Sequence, residues 1–375
     1  MYTIDCFRQN SPHFSTQKFK QLLHLQNMSN KKRGIVLMNL GSPDSTAVPD
    51  VKKYLNEFLM DKRVIDIPYI ARLLLIKGII VPTRAPKSAE AYKEIWTDKG
   101  SPLVEITRQV QQALQKQVDI PVEIAMRYGN PSAKDGFDNL MKREPGLQEV
   151  IAVPLYPHYA MSSYETAVEH AKEVHKKNNY PFTLEFVKPY YNDAGYINAM
   201  AERMRPYTNK EYDHILFSYH GIPQRHIRKS DITGNHCLKT GNCCDVASPA
   251  HDFCYRHQCF TTTNLVTEKL GIPKNKFSIS FQSRLGKGWL EPFTDIRLEQ
   301  MPKEGIKKLL IICPAFVSDC LETLEEIAMR GKESFIEAGG ESYEMIPCLN
   351  VEPLWVETLK KLTAIGNRQS AIGNM

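Results

Sequence analysis

Residues 34–41, GIVLMNLG, carry the reading on which the fold depends. Four apolar residues in a row, Ile35 to Met38, precede the turn-forming run Gly41-Ser42-Pro43. A strand with one wet face alternates apolar and polar residues. Unbroken apolarity marks a strand buried on both faces, as in a parallel sheet covered by helices. The pattern recurs at 121–129 (PVEIAMRYG), 149–157 (EVIAVPLYP) and 183–190. It returns at 214–221 (HILFSYHG), 277–283 (FSISFQS), 307–317 (KKLLIICPAFV) and 342–349, with helical stretches between. The chain therefore predicts an α/β fold of two similar Rossmann-like domains, each a four-stranded parallel sheet flanked by helices, with a cleft between them. The expected boundaries are 31–190 and 191–360, with a cysteine-rich insert at 235–260 in the second domain and a tail at 361–375. Residues 1–30 read as a poorly ordered extension; they lack the apolar core of a secretory signal.

A length of 375 residues suits two domains or one duplicated one. With 42% hydrophobic and 24% charged residues the chain is neither disordered nor fibrous. No stretch approaches the roughly 18 consecutive apolar residues of a membrane helix. The +6 net charge is spread along the chain, without the runs or interleaved stripe of a nucleic-acid binder, so an anionic small molecule or a membrane surface fits better. No GxGxxG or P-loop follows any strand, which argues against a nucleotide cofactor.

Parallel sheets place ligands beyond the carboxyl ends of their strands. Those ends are chemically crowded here: Asn39 to Pro43, Arg127-Tyr128, Tyr156-Pro157-His158, Tyr219 to Pro223, Gln282-Ser283-Arg284, and Asp319 to Glu326. His220, closing a strand in SYHGIP, can accept a proton near neutrality or bind a metal, or it can simply cap a turn. Asp319 reads as a helix cap, followed by an apolar stripe of Leu321, Leu324, Ile327 and Ala328. Glu322 and Glu326, four apart, share a face of that helix, where the helix dipole alone also favours acidic residues. Arg84, Lys87, Tyr92, Ser101, Arg127 and Tyr128 can hold carboxylates on a flat ligand, an arginine fork binding a carboxylate bidentately, or they can be a solvated basic face.

Four blocks in register, MNLGSPDS (38–45), SYHGIPQR (218–225), FQSRLGKGWLEPFTD (281–295) and CPAFVSDCLETLEEI (313–327), resemble the signature blocks of the ferrochelatases, and the resemblance spans about 33–360. It implies a chelatase-like fold and insertion of Fe²⁺ into protoporphyrin IX at the last step of haem synthesis. By resemblance, His220 and Glu322 carry the catalysis and meet the iron, with Glu326 as a possible relay. Leu40, Arg84, Tyr92, Ser101, Arg127, Tyr128, Gln282, Ser283 and Trp289 fall on porphyrin-contacting positions. Cys320 stands where many relatives have a second histidine, which favours Glu322 with His220. Residues 68–82 (PYIARLLLIKGIIVP) resemble the family's apolar lip, able to touch a membrane as well as to form a buried helix. The alternatives are a chelatase for coproporphyrin or cobalt, and a non-catalytic haem or Fe–S sensor on the same fold.

Five of the nine cysteines lie between Cys237 and Cys259, which suggests a metal site in a reducing compartment such as the cytoplasm, with peripheral contact at the inner membrane face through 68–82. The spacing is not that of a zinc ribbon. Some ferrochelatases hold a [2Fe–2S] cluster through an insert of this kind, so the resemblance implies ligation by Cys237, Cys243, Cys244 and Cys254, with Cys259 as substitute. Zinc and a metal-free loop stay open beside it.

Overall fold

In a computed structural model the described residues are 31–284, 286–364 and the backbone of 368–370. The expected extension at 1–30 and the tail at 365–367 and 371–375 lie outside the described residues. The eight expected strands form where the apolar runs stand: β1 Arg33–Ser42, β2 Val122–Gly129, β3 Glu149–Pro154, β4 Thr183–Val187, β5 His214–His220, β6 Phe277–Gln282, β7 Lys308–Ile312 and β8 Ser342–Ile346. Strands β3 and β7 stop short of their apolar runs, at the prolines Pro154 and Pro314, because proline has no N–H to give a sheet.

Two sheets result, ordered β2-β1-β3-β4 and β6-β5-β7-β8, with every one of these pairings parallel. The two orders are the same pattern repeated, which is the duplication read from the sequence. A short strand not anticipated, β9 (Arg368–Ser370), pairs antiparallel with β4 and makes the first sheet five-stranded. Ahead of it, helix Pro353–Thr363 runs into the expected tail, burying Trp355 between Tyr190 and Tyr196, 5.6 and 6.2 Å away centroid to centroid. The largest apolar cluster runs unbroken from Ile35 and Leu37 of β1 through Tyr196 and Trp355 to Phe217 of β5, so the two sheets share one core.

Two glycines set the strand ends that face each other. Gly41 has φ +100°, and a Cβ there would lie 1.7 Å from the Tyr128 carbonyl oxygen. Gly221, directly after His220, lets the chain approach β6, where a Cβ would meet the Gln282 carbonyl at 2.7 Å. The lip folds as helix Tyr69–Leu75, a π turn Ile76–Ile80 and helix Val81–Ile95. Among the described residues no helix is long and apolar enough to cross a membrane. The last part of the insert is regular: Cys254 precedes helix Tyr255–Leu270, and Cys259 lies inside it.

Candidate active site

The carboxyl ends of β1, β3, β5, β6 and β7 converge on a cavity of about 950 Å³, the upper end of what small-ligand pockets occupy. Ten of the candidate residues line it: Leu40, Arg84, Lys87, Tyr92, Ser101, His220, Ser283, Trp289, Glu322 and Glu326.

On one wall stands His220. Its Nδ1 has no hydrogen-bond partner among the described residues, and its ring meets Phe316 edge-on at 6.1 Å. Burial pulls its pKa below the ordinary imidazole value; the Glu322 charge opposes this and Arg84 adds to it, and burial wins. The imidazole is therefore neutral near pH 7, with a nitrogen free to take a proton. Behind it His158, also in the cavity wall, packs edge-on against Tyr219 at 5.4 Å, and burial drives its pKa down to about 3.

A second stretch of the lining is acidic. Glu322–Gly331 form a π-helix, a rare form that recurs at functional sites, and Glu322, Glu325 and Glu326 all reach the cavity. The Glu326 carboxylate accepts the Ser283 N–H at 2.8 Å and the Ser283 hydroxyl. Burial and the Glu322 charge nonetheless hold its pKa above the usual carboxylate value. Ser283 can present both donors because it adopts φ +61°, the left-handed region. Asp319 does not cap this helix as expected: its carboxylate accepts from the Thr323 hydroxyl at 3.0 Å and the Asn350 amide at 2.7 Å, tying the helix start to the loop after β8. Beside Glu322, Tyr54 and Tyr92 also face the cavity, and burial together with neighbouring charge raises both phenols, so they remain hydrogen-bond donors.

Five arginine or lysine side chains line the cavity. Arg225 pairs with Asp66, Arg284 with Asp295 at 2.8 Å, and Arg330 with Glu325 at 2.9 Å. Arg84 and Lys87, three residues apart on helix Val81–Ile95 and both exposed, have no carboxylate partner among the described residues. Close by, the lip contributes Leu75 and Ile80 to the cavity, beside Ile67 just before it, and turns Tyr69, Ile70, Leu74 and Ile79 outward, each more than 60% exposed.

Three expected porphyrin contacts are not in the cavity lining. Arg127 lies inside β2, where side chains leave by the sheet face rather than past the strand end. It bonds Asp61 at 2.5 Å and Thr166 at 2.8 Å, and its guanidinium sits 4.2 Å over the Tyr128 ring. Tyr128 donates to the same Asp61 carboxylate at 3.0 Å. Gln282 turns under the sheet, accepting from the Ser218 hydroxyl at 2.8 Å and donating to the Glu322 carbonyl at 3.2 Å. All three brace the walls from behind. His158, named among the strand ends, lines the cavity, while Tyr54 and Phe316 were missed as cavity residues: Tyr54 reads as part of a helix's apolar stripe.

The cysteines of the insert gather apart from this cavity. Cys237, Cys243, Cys244 and Cys254 are all buried. Cys237 and Cys244 each share a side-chain hydrogen bond with Cys254, and Arg256 donates to the Cys244 sulfur at 3.1 Å and reaches Cys243 at 3.9 Å. The Leu238 N–H points at the Cys243 sulfur at 3.4 Å. Cys259, in the same core cluster as Cys237 and Cys254, has its thiol bonded to Tyr255. Among the described residues no group of three or more His, Cys, Asp or Glu has the placement to hold a metal ion, so neither the cluster nor zinc has a preformed cage. N–H and guanidinium donors aimed at sulfur suit a thiolate-bound group, but the hydrogen bond with Cys254 and burial hold the Cys244 thiol well above its ordinary pKa and burial pushes Cys237 up to about 11, so such a group would have to displace these protons.

Fold and site together define a two-sheet α/β enzyme with a deep cleft lined by an imidazole and a row of carboxylates. The sirohydrochlorin chelatase SirB from Bacillus subtilis subspecies spizizenii, solved with cobalt, has this fold: TM-score 0.50 at 10% identity, covering 88% of this chain and 94% of that one. The ferrochelatase family model matches residues 32–365. Ferrochelatases of Pseudomonas entomophila and Opitutus terrae are each 48% identical over 87% of this chain, and over 96% and 95% of their own lengths. The chain belongs to the ferrochelatase family and is a metal chelatase.

Proposed function

We propose that this chain inserts Fe²⁺ into protoporphyrin IX to give protohaem, the last step of haem synthesis. The observation that carries the reading is a neutral, unpartnered imidazole at His220 sharing one cavity of macrocycle size with Glu322 and Glu326. A free porphyrin is flat, and its pyrrole lone pairs converge on a hole filled by two N–H protons. Binding energy from the rim of the ring must bend it so that the nitrogens face one wall. Leu40, Tyr92, Ser101 and Trp289 supply that grip, while Arg84 and Lys87 meet the propionates. Two uncommitted cations suit two carboxylates better than the four of coproporphyrin. His220 takes pyrrole protons, as a neutral imidazole can. Glu322, braced through its backbone by Gln282, faces the metal with Glu326 as relay; oxygen ligands of this kind bind iron weakly enough to release it.

The finer parts of the reading follow the same surfaces. The outward residues Tyr69, Ile70, Leu74 and Ile79 form an apolar rim that suits a peripheral membrane contact, through which a hydrophobic porphyrin can enter. Cys237, Cys243, Cys244 and Cys254 would hold a [2Fe–2S] cluster. Metal insertion moves no electrons, so such a group would supply cross-linking or sensing rather than redox chemistry.

The test is anaerobic incubation with Fe²⁺ and protoporphyrin, watching the metalloporphyrin spectrum. The expected result is metallation by the wild type and, for His220→Ala, porphyrin binding without metallation. A His220→Ala variant that metallates at the wild-type rate overturns the assignment, and binding without metallation by the wild type would favour the sensor reading.

A further inference from the structure

His220 closes β5, and its backbone carbonyl has no strand to bond. Consecutive residues of a strand point their backbone groups at opposite neighbours. The Gly221 N–H goes to the Gln282 carbonyl of β6 at 2.8 Å, so the His220 carbonyl faces the other way, toward β7. The β5–β7 pairing ends at Phe217 and Ile312, three residues earlier. A buried carbonyl needs a partner, and here it is the Tyr255 hydroxyl, at 3.0 Å. A second tyrosine runs the opposite way: Tyr219, the residue before His220, sets its hydroxyl 2.9 Å from the Cys259 carbonyl. Two tyrosines thus stitch the last two residues of β5 to the first turns of helix Tyr255–Leu270.

That helix begins where the cysteine insert ends. Cys254 stands immediately before Tyr255, shares hydrogen bonds with Cys237 and Cys244, and accepts the Gln258 N–H at 3.0 Å through its carbonyl. Gln258, fully buried, returns to the insert by donating to the Asp252 carbonyl at 2.9 Å and receives the Tyr159 N–H at 2.7 Å. The first helical turn is therefore held on one side by the thiol group and on the other by the strand that carries the imidazole.

We propose that Tyr255 is a positioning residue: it fixes the catalytic imidazole of His220 and transmits to it the state of the cysteine insert. An ordered insert holds Tyr255 in place and His220 aimed into the cavity. Disorder at the thiols frays the helix start, releases the His220 carbonyl and loosens the imidazole, so metallation depends on an insert that takes no part in the chemistry. This inference rests on the reading of His220 as proton acceptor, and the experiment separates the two.

The experiment compares full-length wild type, Tyr255→Phe, Cys237→Ser and the double variant. It reads kcat and porphyrin KM, the ¹⁵N imidazole resonance of His220 in protein free of iron substrate and porphyrin, and the visible absorption of the insert. Loss of one hydrogen bond predicts a kcat lower by about three- to tenfold in Tyr255→Phe, with porphyrin KM and visible absorption unchanged. Cys237→Ser is expected to shift the His220 resonance and lower kcat in the wild-type background, and to do neither when added to Tyr255→Phe, the sign of a shared route. The inference is overturned if Tyr255→Phe keeps the wild-type kcat and resonance, or if the two substitutions act additively. The reading of His220 survives either result as long as His220→Ala fails to metallate. Full activity in His220→Ala overturns both. A wild-type thermal midpoint for Tyr255→Phe separates lost positioning from lost folding; a lowered midpoint with unfolded protein at the assay temperature would assign Tyr255 to stability and overturn the proposal.

Discussion

Replacing Arg127 with Met tests whether this side chain braces the cleft or lines it. In the structure Arg127 is 13% exposed and Asp61 4% exposed, a buried ion pair. Stripping one partner from such a pair costs about 3–5 kcal/mol when the other is left bare. Asp61 would not be bare, because the Thr166 and Tyr128 hydroxyls and the Arg63 N–H still donate to it. Methionine also keeps most of the packing against Tyr128. The expected loss is therefore the reduced figure of about 2–3 kcal/mol, read as a lower urea midpoint. The pH dependence follows from Asp61. Burial raises its pKa, but the Thr166 hydroxyl, the Arg63 N–H, the Arg127 charge and the Tyr128 hydroxyl outweigh burial, and the net is below the ordinary value. A carboxyl held down in the folded state contributes stability above its unfolded pKa and loses it as the pH falls through the folded value. The gap between wild type and Arg127→Met should thus be full from pH 7 down to about pH 4, near the unfolded pKa of Asp, and narrow only below it, as the pH falls toward the lower folded value. Adding Asp61→Asn should recover part of the loss, since it removes the stranded charge. Porphyrin KM should change little. A wild-type urea midpoint combined with a strongly raised porphyrin KM would refute the placement and return Arg127 to the cavity lining.

Removing the exposed cations at the mouth should do the reverse: Arg84→Met and Lys87→Met are each expected to raise porphyrin KM by about three- to tenfold at low salt, with kcat and stability nearly unchanged, and the effect should fade with a porphyrin dimethyl ester. Because burial depresses the pKa of His220, the rate should hold as pH falls from 8 to 6.5 and drop only at lower pH, as the imidazole protonates; a pH profile that breaks above 6.5 would contradict the neutral imidazole. Protein purified anaerobically should be brown through visible absorption that disappears in Cys254→Ser and persists in Cys259→Ala, since the Cys259 thiol is engaged by Tyr255. Colourless, iron-free wild-type protein would sink the cluster.

The parallel strands were legible because each is buried on both faces and so is written as an unbroken apolar run. The walls of the site were legible for a related reason: residues at or just past a strand's carboxyl end, such as His220 and Ser283, stand where the sheet runs out and can face a ligand. Arg127 and Tyr128 stand outside the cavity lining because residues one or two steps inside a strand leave by its faces. Nothing in the local sequence marks that step, and the partner that claims them, Asp61, is more than sixty residues away. Cys259 shares the spacing of the insert, but the helix that begins at Tyr255 carries it into the core. Local pattern alone therefore determined the strands, their repetition and the chemical types at their ends, since these depend on each residue's own burial. Which donors meet which acceptors across the cleft, from Gln282 beneath Glu322 to Tyr255 on the carbonyl of His220, was decided only by the packing of helices onto both sheets, because a hydrogen bond between distant segments has no period for the sequence to display.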